Sequence, residues 1–164
     1  MPLLKVDFHG LKRVVADTTK RLSGPSMTLV GALVMVQLMT LGGDQAQTTV
    51  IGRQFASVMG KSWPFFAPVL GALGAFFSGS ATVSNLTFAG IQDSIAHTLG
   101  FERTSILALQ SVGAAMGTIV SISNVVAVCS ILGLVNQEGY IIKRASIAVA
   151  VYGVVAGLSG LIIT

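Results

Sequence analysis

Residues 64–92 read PFFAPVLGALGAFFSGSATVSNLTFAGIQ, and how this stretch is folded decides the architecture of the chain. Phe65 to Phe77 is apolar, Ser78 to Asn85 is a run of small and polar residues, and Leu86 to Leu99 resumes a helical pattern. No ionisable side chain occurs between Lys61 and Asp93, which marks the whole stretch as membrane-embedded. Two arms of about 14 residues reach about 21 Å each at a rise of 1.5 Å per residue, short of a hydrocarbon core near 30 Å. The pattern therefore predicts a re-entrant helical hairpin over residues 64–100 rather than two full crossings.

The segments on either side follow the same logic. Thr104 to Val135 is 32 residues without charge. As one straight helix it would measure about 48 Å, too long for a simple span. Its middle, Gly113 to Asn124, is again small and polar, so a broken membrane helix is expected over residues 104–135, interrupted near Ser121 to Asn124. A polar turn, Asn136 to Arg144, leads to a last span at residues 145–164. Towards the N-terminus, residues 46–62 hold Arg53 and Lys61 among apolar residues, which suits an interfacial amphipathic helix ended by Trp63-Pro64, the indole at headgroup depth. Residues 26–43 form a first span. Residues 1–25 form an amphipathic, basic segment on the membrane surface, closed by the breaker cluster Ser23-Gly24-Pro25-Ser26.

Composition agrees. Of 164 residues, 52% are hydrophobic and 10% charged, against roughly 25% charged in a soluble domain. The class is an all-α membrane protein of transmembrane helices with a re-entrant hairpin and a broken helix. The net charge of +4 does not indicate nucleic acid, because the basic residues sit at the ends of apolar segments. The single cysteine, Cys129, has no partner for a disulfide or a metal site and reads as packing. Positively charged loops stay cytoplasmic. Placing the five basic residues of the N-terminal segment inside also brings Lys143-Arg144 inside, so a multi-pass protein of the cell membrane with a cytoplasmic N-terminus is expected.

Irregular backbone survives at membrane depth only where protein or a water-filled cavity surrounds it, and transporters use half-helix N-termini there to bind anions. Ser84-Asn85 and Ser123-Asn124 each precede an apolar helical run, so they are the candidate substrate ligands, with Ser80 and Thr82 at the first tip adding hydroxyl groups. Helix capping alone would account for either pair, but not for two caps at mid-membrane depth. Gly113-Gly117 and Gly153-Gly157 form two G-x-x-x-G pairs, read as close packing within the chain. Asp93, His97, Glu102 and Arg103 read as a charged rim, and Gln92 and Gln110 as deeper polar residues with a weakly supported cavity role. No Ser-His-Asp set, metal-ligand cluster or phosphate-binding glycine loop is present, so neither enzymatic activity nor a cofactor or metal is expected.

The stretch quoted above resembles the C-terminal part of the L-lactate permease family. The shared pattern runs Pro68, Gly71, Gly74, then Gly79, Ser80, Thr82, Ser84, Asn85, then Phe88 and Gln92, and the likeness continues through Ser111 to Val135. The resemblance implies secondary transport of lactate or a related small 2-hydroxy monocarboxylate with a coupling proton. It also implies a fold class built from inverted repeats, of which this chain would hold one. A second chain carrying the first repeat, or a homo-oligomer, is therefore expected as partner, besides the bilayer and the carboxylate substrate. Where family members often carry an acidic residue, this chain has Ala81, and Ser-Ile-Ser-Asn stands where they commonly have Ser-Pro-Gln. Two alternatives remain open: a sodium-coupled transporter of another carboxylate, and a non-transporting structural or assembly subunit.

Overall fold

A computed structural model describes residues 8–164; the expected surface residues Leu3, Leu4, Lys5 and Val6 lie outside them. Among the described residues every regular element is helical: α1 (Phe8–Thr40), α2 (Gln47–Met59), α3 (Trp63–Ser78), α4 (Ala81–Leu99), α5 (Arg103–Ile119), α6 (Ile122–Leu132) and α7 (Glu138–Ile163). Short 3-10 turns, Gly43–Gln45 and Gly60–Ser62, join α1 to α2 and α2 to α3. Two segments among the described residues are long and apolar enough to cross a membrane, Arg103–Cys129 with 27 residues and Glu138–Ile163 with 26.

Three boundaries differ from expectation. The surface helix and first span do not separate at Ser23 to Ser26, because α1 runs 33 residues through Pro25. A proline inside a helix removes one N–H and crowds the preceding turn but does not oblige the helix to end. Trp63-Pro64 does not terminate a helix at headgroup depth. It starts α3, with the proline in the first turn, where its missing N–H costs no helical bond, and with the indole 2% exposed. The polar segment before the last span is not a turn beyond Gln137. Glu138 begins α7, with its negative charge at the positive end of the helix, and Arg144 lies over the Tyr140 ring one turn later, 5.4 Å from its centroid.

The hairpin arms are longer than the sequence suggests. With 16 and 19 residues, α3 and α4 measure about 24 and 28 Å. They are joined by Gly79, in the left-handed region at φ 73°, and by Ser80. After Gly100, also left-handed, α5 runs back along the hairpin and ends at Val120-Ser121, where α6 takes over.

Small residues let these helices approach almost backbone to backbone. A methyl group on Gly71 would fall on the Gln110 carbonyl, one on Gly113 on the Pro68 carbonyl, and one on Gly117 on the Ala72 carbonyl. Ala67, Ala75 and Ala114 are fully buried in the same region. The pair Gly113-Gly117 is thus spent on packing inside the chain, the use of G-x-x-x-G that brings helices together. Gly157 and Gly160 of α7 likewise abut Phe65 and Pro64 at the start of α3. On the other side α2 buries Thr48, Gly52 and Ala56, spaced four apart, with Gly52 against Ser94 and the Ile91 carbonyl of α4. Trp63, Ala67, Ile91, Ile95, Ile106 and Leu109 form the centre of the core. Large apolar side chains of α6 and α7, among them Ile131, Leu132, Val151 and Ile162, are exposed, as suits helices facing lipid.

Candidate functional site

The hairpin tip and the α5–α6 break come together. The Asn124 amide donates to the Gly79 carbonyl at 3.3 Å and to the Thr118 carbonyl at 3.1 Å. Ser123 sits so close to Gly79 that any side chain there would fall on its hydroxyl oxygen. Its positive φ favours glycine there, and a side chain would also force the Ser123 hydroxyl to turn away.

Both helix starts lie a few residues earlier than the Ser-Asn pairs suggest. Ser80 is the N-cap of α4: its hydroxyl accepts from the Val83 N–H at 3.3 Å, and its own N–H donates to Ser78 Oγ at 3.3 Å. Ser121, fully buried, is the N-cap position of α6, but its hydroxyl turns back to donate to the Thr118 carbonyl at 3.0 Å. An α-helix leaves its first four N–H groups without an intrahelical partner. Those of Ala81 and Thr82 on α4 and of Ile122, Ser123 and Asn124 on α6 have no acceptor among the described residues. Two helices thus present N–H groups without acceptors and positive dipole ends, one at the Gly79 contact and one two residues after it, with the hydroxyl-bearing Thr82 and Ser123 exposed.

Ser84 and Asn85 lie within α4, not ahead of it, and they face different ways. Ser84 is 1% exposed and donates to the Gly71 carbonyl at 2.7 Å. It belongs to a buried chain of hydrogen bonds. Trp63 Nε1 donates to Gln92 Oε1 at 2.8 Å; Gln92 Nε2 donates to Gln110 Oε1 at 2.9 Å and to the Ala67 carbonyl at 3.0 Å; Gln110 Nε2 donates to Ser84 Oγ at 3.3 Å. Every member is at most 2% exposed, so this network ties α3, α4 and α5 into one unit with each buried amide nitrogen and oxygen in use. The weak cavity role read for Gln92 and Gln110 gives way to this cross-link. Its signal in the sequence was the placement of two glutamines and a serine in otherwise apolar helices. Asn85, one position on, is half-buried and donates to Ser111 Oγ of α5 at 3.3 Å.

The charged residues lie towards the opposite end of the hairpin. Arg103 holds Asp93 with two hydrogen bonds, from Nε to Oδ1 and from Nη2 to Oδ2 at 2.6 Å, and Arg53 pairs with Asp44 at 2.8 Å. With His97, Thr48 and Ser94 they line an open polar crevice of about 620 Å³. Glu102 caps α5, and its hydrogen bonds from Ser105, first of all from the hydroxyl, hold its carboxyl below the ordinary glutamate value. No group of three or more His, Cys, Asp or Glu residues able to hold a metal ion occurs among the described residues.

The sequence pattern of the L-lactate permease family matches residues 1–164, the full length of the chain. The chain belongs to the L-lactate permease family. It is 47% identical over 161 residues to a Haemophilus influenzae protein described as "Putative L-lactate permease", a match covering 98% of this chain and 30% of that protein. It is 28% identical over 162 residues to the glycolate permease GlcA of Escherichia coli K12, covering 94% of this chain and 28% of the relative. To the L-lactate permease of the same bacterium it is 31% identical over 109 residues, covering 64% of this chain and 20% of the relative. The chain thus spans less than a third of the length of these permeases. No solved structure matches it. The family implies a membrane protein, and the relatives named here are described as permeases, not enzymes.

Proposed function

We propose that the chain is the C-terminal part of a permease that carries lactate or a related small 2-hydroxy monocarboxylate across the cell membrane, driven by a coupling proton. The observation that carries this reading is the meeting of the α6 N-terminus with the hairpin tip at Gly79, just ahead of the start of α4, where five N–H groups of α4 and α6 have no acceptor among the described residues. In a site shielded from water, such donors compensate a carboxylate that has left its hydration shell. The ligands are Ser80, Thr82, Asn85, Ser123 and Asn124 with the helix-end N–H groups, and Ser84 supports them from the buried network. Relatives named for lactate and for glycolate transport different acids of one chemical type, a carboxylate next to a hydroxyl-bearing carbon.

In this reading α3 and α4 form a re-entrant hairpin and α5–α6 is a broken membrane helix. The hairpin tip meets the break, and α6 continues for 11 residues beyond it, so the tip stops inside the layer that α5–α6 crosses. The N-terminus is cytoplasmic, and a chain carrying the first inverted repeat, or a second copy, completes the transport path. A sodium-coupled version has one observation in its favour: among the described residues no titratable side chain is bonded to the tip, whereas the carbonyl groups of Gly79 and Thr118 converge on Asn124.

Uptake of labelled lactate into vesicles bearing the assembled permease, under an imposed pH or sodium gradient, tests the proposal. Lactate uptake follows the pH gradient, and Asn124→Ala or Ser123→Ala lowers it by about tenfold, the worth of one charge-assisted hydrogen bond. Uptake driven by sodium alone overturns proton coupling. Undiminished uptake per assembled permease in both variants, with less complex formed, turns the tip into a subunit contact.

A further inference from the structure

We infer that the side-chain oxygen of Asn85 reads the 2-hydroxyl group of the transported acid; the inference rests on the carboxylate site proposed above. Asn85 donates from Nδ2 to Ser111 Oγ, and Ser111 in turn donates to the Leu107 carbonyl at 3.1 Å. This order fixes the amide, with its donor end turned to α5 and its acceptor end, Oδ1, turned away. Oδ1 is buried, and it is the one buried side-chain nitrogen or oxygen without a hydrogen-bond partner among the described residues. Buried acceptors are almost always paired, because leaving water unpaired is costly. An acceptor left over beside a fully paired polar network calls for a donor that the described residues do not supply.

Its position says what kind of donor. Helical side chains lean towards the helix N-terminus, so Asn85 lies over the turn that starts with Ala81 and Thr82, about 6 Å back along the axis. Those two residues carry the free N–H groups of α4. One acceptor therefore stands beside a set of donors. A carboxylate offers only acceptors, which suit the N–H groups, and a hydroxyl on the adjacent carbon offers the donor that Oδ1 lacks. Propionate leaves Oδ1 unpaired, and pyruvate sets a carbonyl oxygen against it. Asn85 is thus a specificity residue, favouring 2-hydroxy acids over both.

Competition against labelled lactate uptake by unlabelled lactate, propionate and pyruvate, in vesicles bearing the assembled permease, tests the assignment. In the wild type lactate competes at least about tenfold better than propionate. Asn85→Leu removes that preference by weakening lactate alone. Asn85→Asp retains an acceptor oxygen and keeps the ratio, while binding all three acids more weakly through like charge. An unchanged lactate-to-propionate ratio in Asn85→Leu, as when a water molecule satisfies Oδ1, overturns the assignment, and so does an equal loss for both acids. If Asn85→Leu and Asn124→Ala both leave every acid unaffected, the carboxylate site itself is wrong.

Discussion

The α3–α5 seam and the α4–α6 tip are both rich in small and polar residues, yet they are opposites. In the seam every polar group has a partner: Ser84, Gln92, Gln110 and Trp63 are consumed by one another and by two backbone carbonyls. At the tip five N–H groups and one buried amide oxygen have none among the described residues. Ser84 and Asn85 are neighbours in sequence but belong to different sides of this divide, because one residue along a helix is a rotation of about 100°. Polar residues in an apolar helix therefore indicate a site only after their partners have been counted.

The seam can be broken outright. Gly113→Leu places a side chain on the Pro68 carbonyl, so that backbone itself must give way. Overpacking of this kind costs about 3 kcal/mol or more when backbone must move. The expected result is loss of folded protein in detergent, read by gel filtration and thermal aggregation, whereas Gly133→Ala, with open space around it, costs only the strain of its positive φ.

Removing the network tests it more finely. Gln110→Leu removes one of the two acceptors of Gln92 Nε2 and the donor to Ser84 Oγ, and should lower stability by about 1–2 kcal/mol, the worth of one or two buried hydrogen bonds. Replacing Gln92 and Gln110 together should cost less than the sum of the single changes, as a thermal double-mutant cycle would reveal, because the two are bonded to each other. Additive costs would mean that the seam holds by packing alone.

The smallest effect lies outside both regions. The Glu102 carboxyl is held below its ordinary value of 4.5 by hydrogen bonds from Ser105 and Thr104. A depressed carboxyl contributes stability above its unfolded value and loses it as pH falls through the folded one. Below about pH 4.5 the melting temperature of the wild type should therefore converge on that of Glu102→Gln, with the two separated near neutral pH. A constant difference across that range would remove the cap from the account.

Much of the hairpin was legible. The polar run Ser78 to Asn85 between two apolar arms marks a turn, and the G-x-x-x-G spacing of Gly113 and Gly117 marks a packed seam. The register of the helix starts was not. Both Ser-Asn pairs look like caps, but Ser80 and Ser121 stand earlier and start their helices first, which carries the pairs into the helices. Trp63 was misplaced for a related reason. An indole suits a membrane surface as well as a core with an acceptor, and the acceptor, Gln92, lies 29 residues away in sequence. Local pattern carries periodicity and turns, but not which faces meet across the fold.

Trp63 is the chain's single tryptophan, and its indole N–H bonds to the glutamine that also holds α5. The molecule thus contains its own optical gauge. Indole emission responds to that hydrogen bond and to the polarity around the ring, so intrinsic fluorescence reports on the packing of α3 against α4 and α5 without any added label. A spectrum that stays constant while substrate binds would mean that the three helices travel as one piece. A shift would mean that the packing around Trp63, between α3 and its neighbours, changes.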